Sequence, residues 1–216
     1  MSKWVRYAIL FILSIAVGVW YGTQESRFPI KPVVIVILFF VVLAVCMVPS
    51  IYYSYFCRNR NGIEKFLNRS AKRPYYELLI DLVNGRYDEA ERKLPKLSSE
   101  QQRLAIQIPI QFERRNLAAI HRLIEQVKGR EAKLYYAGHL ALLEDDWERL
   151  EECKKQLRNQ IFRIVLDAES AFRKGNMEEA KRHGDRALAQ SAGLQRYALL
   201  KALERQQTKE VRSSYF

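Results

Sequence analysis

GRYDEA (85–90) is written a second time, little changed, as GNMEEA (175–180). In both, a Gly is followed by a polar residue, a bulky apolar residue, two carboxylates and an Ala. Sliding the chain against itself by thirty residues brings two further segments into the same frame. NGRYDEA (84–90) aligns with RRNLAAI (114–120), EDDWERL (144–150) and KGNMEEA (174–180). The aligned columns are chemically coherent: Leu82, Phe112, Leu142 and Phe172; Tyr87, Leu117, Trp147 and Met177; Ala90, Ile120, Leu150 and Ala180; Leu97, Val127, Leu157 and Ala187.

Between the columns, apolar residues recur at i, i+3, i+4 and i+7, the period of amphipathic helices. Each unit therefore reads as a helix, a turn and a second helix: 75–84 with 87–97, 100–113 with 116–127, 131–143 with 146–157, and 160–174 with 177–190. A last helix over 192–206 closes the array. Gly85 and Gly175 suit a left-handed residue ending a helix, and Ser99, Asp146 and Asn159 suit N-caps. Pro95 and Pro109 conflict with helix interiors, and AIQIPIQF (105–112) reads as a strand in isolation. The thirty-residue register predicts helix there. One helix pair cannot bury its own apolar stripe, so stacked neighbours must supply the core, and the fold class is an all-α solenoid.

The turn signature resembles that of the tetratricopeptide repeat, carried by Gly85, Tyr87, Asp88 and Ala90 and by Gly175, Met177, Glu178 and Ala180. Gly138 and Ala168 stand where that family places a small residue in its first helix. The chain departs from the family in its period of thirty rather than about 34, in middle turns without Gly, and in lacking the first-helix Trp. The resemblance covers about 74–206 and implies a concave groove lined by first helices. Its positions map onto Tyr75, Leu79, Val83, Tyr135, His139, Leu143, Glu169 and Arg173. Such a mixture suits a peptide or helix of a protein partner.

The first quarter of the chain is different. YAILFILSIAVGVWY (7–21) and VVIVILFFVVLAVCMV (33–48) are apolar runs of the kind that cross a hydrocarbon core when about 20 residues long. Residues 1–57 thus read as a two-span transmembrane hairpin, with a cleaved signal peptide as the alternative for the first run. Of the formal net charge of +12, the segment 57–74 carries +5 through Arg58, Arg60, Lys65, Arg69, Lys72 and Arg73 against Glu64. Residues 75–216 hold 26 basic and 22 acidic side chains. Basic residues concentrate on the cytoplasmic side of spans, so the expectation is an inner-membrane, two-pass protein with both termini cytoplasmic. Residues 58–73 then form a juxtamembrane segment facing anionic lipid headgroups. The layout is similar to HemY-type bacterial membrane proteins. Residues 207–216 read as a flexible polar tail.

The chemistry-bearing residues do not converge. His121 and Glu125 form an i, i+4 surface pair; His139 and His183 lack a second ligand at metal spacing; the acidic run 144–146 occupies a turn, where it favours the next helix N-terminus. Three cysteines without CxxC spacing read as free thiols. No phosphate-cradling Gly-rich loop is present, and the soluble part has no basic stripe for nucleic acid. The expectations are no enzyme, no cofactor, no metal, and a membrane-anchored adaptor or scaffold for a cytoplasmic protein. The alternative is a structural or assembly subunit of a larger membrane complex.

Overall fold

A computed structural model describes residues 41–43, 45, 47–208 and 214–216, and the chain divides into two compact units, Met1–Ile51 and Tyr52–Phe216. In the first unit the described residues, all within 41–51, are helical, and Val41, Val45 and Val48 are exposed. Among the described residues no helix is long and apolar enough to cross a membrane. This overturns the two-span transmembrane hairpin and the two-pass inner-membrane placement. The described part of the apolar helix gives way to a π-helical turn, Tyr52–Phe56, after which the chain leaves helix. The run 7–21, the loop after it and residues 33–40 of the second run lie outside the described residues.

In the second unit the π-helical turn Tyr52–Phe56 is followed by a helix that the charge count concealed. In α1 (Arg60–Ser70) the Asn59 side chain accepts from the N–H groups of Asn61 and Gly62, and Ile63 and Leu67 are buried on one face. Four helix pairs follow: α2 (Pro74–Val83) with α3 (Tyr87–Lys93), α4 (Glu100–Glu113) with α5 (Leu117–Glu125), α6 (Arg130–Leu143) with α7 (Trp147–Gln156), and α8 (Gln160–Arg173) with α9 (Met177–Gln190). α10 (Gly193–Thr208) comes last. Pro95 falls in a 3₁₀ turn, Leu94–Lys96, while Pro109 is carried inside α4.

The thirty-residue period is a geometric one. Gly85, Arg115, Asp145 and Gly175 all have positive φ, at 75°, 52°, 55° and 79°. At each turn the next N–H reaches back five residues: Arg86 to the Asp81 carbonyl, Asn116 to Gln111, Asp146 to Ala141 and Asn176 to Ala171, at 2.8–3.0 Å. This is the Schellman end of a helix. In three of the turns the same residue then caps the following helix, with the side chains of Asn116, Asp146 and Asn176 accepting from Ala119, Arg149 and Glu179 N–H. The result is a three-residue turn with one left-handed residue between paired helices, repeated four times.

The start of a pair's first helix is tied at equivalent positions to the linker that leaves the same pair. Gln101 accepts from Lys128 N–H, and thirty residues on Glu131 accepts from Arg158 and Asn159 N–H. Ala90, Ile120, Leu150 and Ala180 have at most 1 % of their surface exposed. They belong to successive clusters strung along the array, such as Leu78, Ala90, Leu97, Ile106 and Ile110, then Ile120, Ile124 and Leu140. Each fully buried Leu or Ile contributes roughly 1.5–3 kcal/mol. Gly138 sits where α6, α7 and α8 meet, because a Cβ there would come within 2.8 Å of Leu166 on α8.

The array is not open-ended. α10 returns from the last pair to the beginning of the unit, packing on the π-helical turn, α1 and α2 as well as on α9. Gly193 N–H donates to the Cys57 carbonyl (2.7 Å), Tyr197 joins the buried cluster of Cys57, Ile63, Leu67 and Val83, and Glu204 pairs with Arg60. Cys57 and Cys153 are unbridged and buried. Residues 209–213 lie outside the described residues. Residues 214–216, read from sequence as the end of a flexible tail, are packed against α8 and α9, with Tyr215 only 5 % exposed.

Candidate partner-binding groove

The inner faces of the first helices and the returning α10 enclose a groove of about 330 Å³. Of the eight positions read from sequence, Val83, Tyr135, His139, Leu143, Glu169 and Arg173 line it. Tyr75 and Leu79 do not. Both are half-buried and pack into the cores around Leu78 and Val83, because α1 and α10 cover this end of α2. The columns that supplied these positions contain further groove residues when extended to every unit: Pro109, Glu113 and Val165 all line it. The contributions of α10, among them Leu199, Ala202 and Arg205, carry no repeat signal because α10 is not a repeat.

The wall around His139 is aromatic. Its ring lies edge-on to Tyr135 at 4.6 Å and near Phe112 at 5.8 Å, while Tyr135 stacks on Phe162 at 4.3 Å. Burial, and behind it the positive charge of Arg173, pushes the His139 pKa down to about 4. Burial pushes the Tyr135 hydroxyl upward. His139 is therefore a neutral ring at physiological pH. Since its folded pKa lies below the unfolded value near 6.5, the unfolded chain takes up a proton that the folded one refuses. Stability therefore falls as pH drops from about 6.5 towards 4. With part of the ring open to the groove, the expected loss is about 1–2 kcal/mol. Denaturant titrations at pH 7 and pH 4.5 check this: His139→Gln should lose measurably less over the interval than the wild type. An equal loss in both would refute it.

Glu169, 4 % exposed, also lines the groove. Its Oε2 accepts from Tyr215 N–H at 3.0 Å and its Oε1 from Phe216 N–H at 2.9 Å. Burial raises the Glu169 pKa, and the two N–H groups and Arg173 act against that rise. Arg173 itself reaches towards Asp145 at 3.7 Å. Glu169 was read from sequence as a groove residue, but its contact with 214–216 has no sequence signal.

Elsewhere the expected surface pairs are rearranged. His121 meets Glu144 at 2.7 Å, in the next unit, while Glu125 pairs with Lys133. Asp146 caps α7, as the turn reading anticipated. Arg58, Arg60, Lys65, Arg69, Lys72 and Arg73 are exposed, with Arg60 bonded to Glu64 and Glu204. Among the described residues no group of three or more His, Cys, Asp or Glu side chains is placed to hold a metal ion. The groove offers apolar and aromatic walls with a few charges, which suits binding.

Compared with protein-family models, with curated proteins and with solved structures, the chain matches none.

Proposed function

We propose that this chain is a TPR-like scaffold whose groove, roofed by α10, receives a short segment of a protein partner. The observation that carries the reading is Glu169. A buried carboxylate is costly unless it is hydrogen-bonded, and this one spends both oxygens on consecutive main-chain N–H groups. Main-chain N–H groups inside a helix are already engaged by their own carbonyls. Such an acceptor therefore suits a peptide outside regular helix better than a docked helix, with aromatic walls for its side chains. The TPR likeness is supported by the two Gly turns at positive φ and by the close approach at Gly138.

Site-specific photo-crosslinking in cells tests this. A probe at Arg115, exposed on the groove rim, should trap a discrete protein that a probe at Lys155, exposed on α7, does not. Equal labelling at both positions, or none at Arg115, would remove the groove from consideration.

A further inference from the structure

The three residues 214–216 are seated as a ligand would be. Tyr215 enters a slot floored by small residues, Ala168 and Ala171 of α8 and Ala180 of α9. Gly184 on α9 makes the space, since a Cβ there would overlap the Tyr215 ring. Phe172 meets that ring edge-on at 6.5 Å, and Phe216 packs against the cluster of Ile164, Val165, Ala187 and Leu199. The main chain is read by Glu169, and Gln206 of α10 donates to the Ser214 hydroxyl at 2.8 Å. Recognition is thus divided as in peptide binding: a carboxylate takes the backbone, and separate pockets take the two consecutive side chains.

Burial raises the proton affinity of Glu169 and makes its carboxylate costly without donors, so the site is built to receive main-chain N–H groups. The carboxylate is consistent with an occupant that leaves, because on departure Glu169 opens to the groove and regains water. We propose that residues 214–216, which form part of the groove wall, are a built-in ligand of a site beside it made by Glu169 and the Gly184 slot between α8 and α9, and that the partner's docking segment carries two consecutive aromatic residues of the same kind and enters by displacing Tyr215 and Phe216 from that site. The proposal rests on the groove-binding reading above and adds the partner's chemistry and a competition. A segment of the same chain competes as an intramolecular ligand, at an effective concentration of about 1 mM. If the free segment binds with a Kd of about 100 µM, the chain's own copy masks the site roughly 10-fold.

The test uses the whole chain and a fluorescent hexapeptide of residues 211–216, VRSSYF, with both ends blocked so that the main chain is probed and not a terminal charge. The variant Tyr215→Ala/Phe216→Ala should bind the peptide about 10-fold more tightly than the wild type. Adding Glu169→Gln or Gly184→Val to that variant should abolish binding. Equal affinity in wild type and double variant, or binding indifferent to Glu169 and Gly184, overturns the proposal. Should the double variant fail to fold, hydrogen exchange on the wild type decides. The Tyr215 and Phe216 amides must exchange by a local opening well before the α8 core, and exchange only on global unfolding makes the segment a fixed cap and overturns the proposal. A protein trapped at Arg115 equally in wild type and double variant leaves groove binding intact while the competition falls. Nothing trapped in either removes both.

Discussion

Gly193→Ala is expected to destabilise the second unit by about 4 kcal/mol and to release α10 first. Gly193 has φ +59°, and a Cβ on it would overlap the Ser54 carbonyl and approach the Tyr55 nitrogen to 2.6 Å. The left-handed conformation alone costs an L-residue about 1–2 kcal/mol. The clash adds roughly 1–3 kcal/mol, at the upper end because backbone cannot swing aside as a side chain would. What the clash breaks is the seat of α10: its first N–H bond to the Cys57 carbonyl, the Tyr197 hydroxyl on Glu64 at 3.2 Å, and the Arg205 bond to the Val83 carbonyl. Gly175→Ala is the control, with φ +79° and nothing within 4 Å of the added carbon, and should cost only about 1 kcal/mol. Denaturant midpoints give the magnitudes, and hydrogen exchange should show α10 losing protection while α6 to α9 keep theirs. Equal effects of the two substitutions would mean that α10 is not held at Gly193.

The repeat was legible and the closure was not, for one reason. A turn repeated every thirty residues must place a left-handed residue and a cap at fixed offsets, and Gly85, Gly175, Asp146 and Asn176 leave that mark in the sequence. Arg115 and Asp145 adopt the same conformation without the Gly that would announce it, so the middle turns were found through their apolar columns. α10 meets α1 through residues far apart in the chain, such as Glu204 with Arg60, and no local period encodes such a pairing. α1 itself was hidden by its charge: its basic side chains face outward while Ile63 and Leu67, at i and i+4, supply the buried stripe. The cavity follows the same rule: six of the eight repeat-column positions line it and Tyr75 and Leu79 do not, whereas Arg205 and Ser214 belong to elements that reach it only because the chain turns back.

Asp81→Asn is the other large expected effect, a loss of about 3 kcal/mol at pH 7. The first turn differs from its three relatives in that Arg86, where the others have Asn or Asp, offers no side-chain cap. Asp81, only 4 % exposed, supplies a different fastening. Its Oδ1 accepts from Arg86 at 2.6 and 2.8 Å, and its Oδ2 from Lys93 at 2.6 Å. The equivalent positions in the other units are Gln111, Ala141 and Ala171, none of which carries a charge. Burial works to raise the Asp81 pKa, but the bonds from Lys93 and Arg86 outweigh it and leave it below the ordinary value. Breaking a buried pair typically costs 3–5 kcal/mol. The lower figure applies because the Arg86 side chain is half exposed and regains water when its partner goes. Since the folded pKa is depressed, the stabilisation is fully present above the unfolded value near 3.9 and is lost as pH falls below it through the folded pKa. The difference between wild type and Asp81→Asn should therefore be constant from pH 7 to about pH 5 and shrink below about pH 4. A difference that persists unchanged at pH 2 would show that the side chain acts through shape and hydrogen bonding, and that its charge contributes nothing to the first turn.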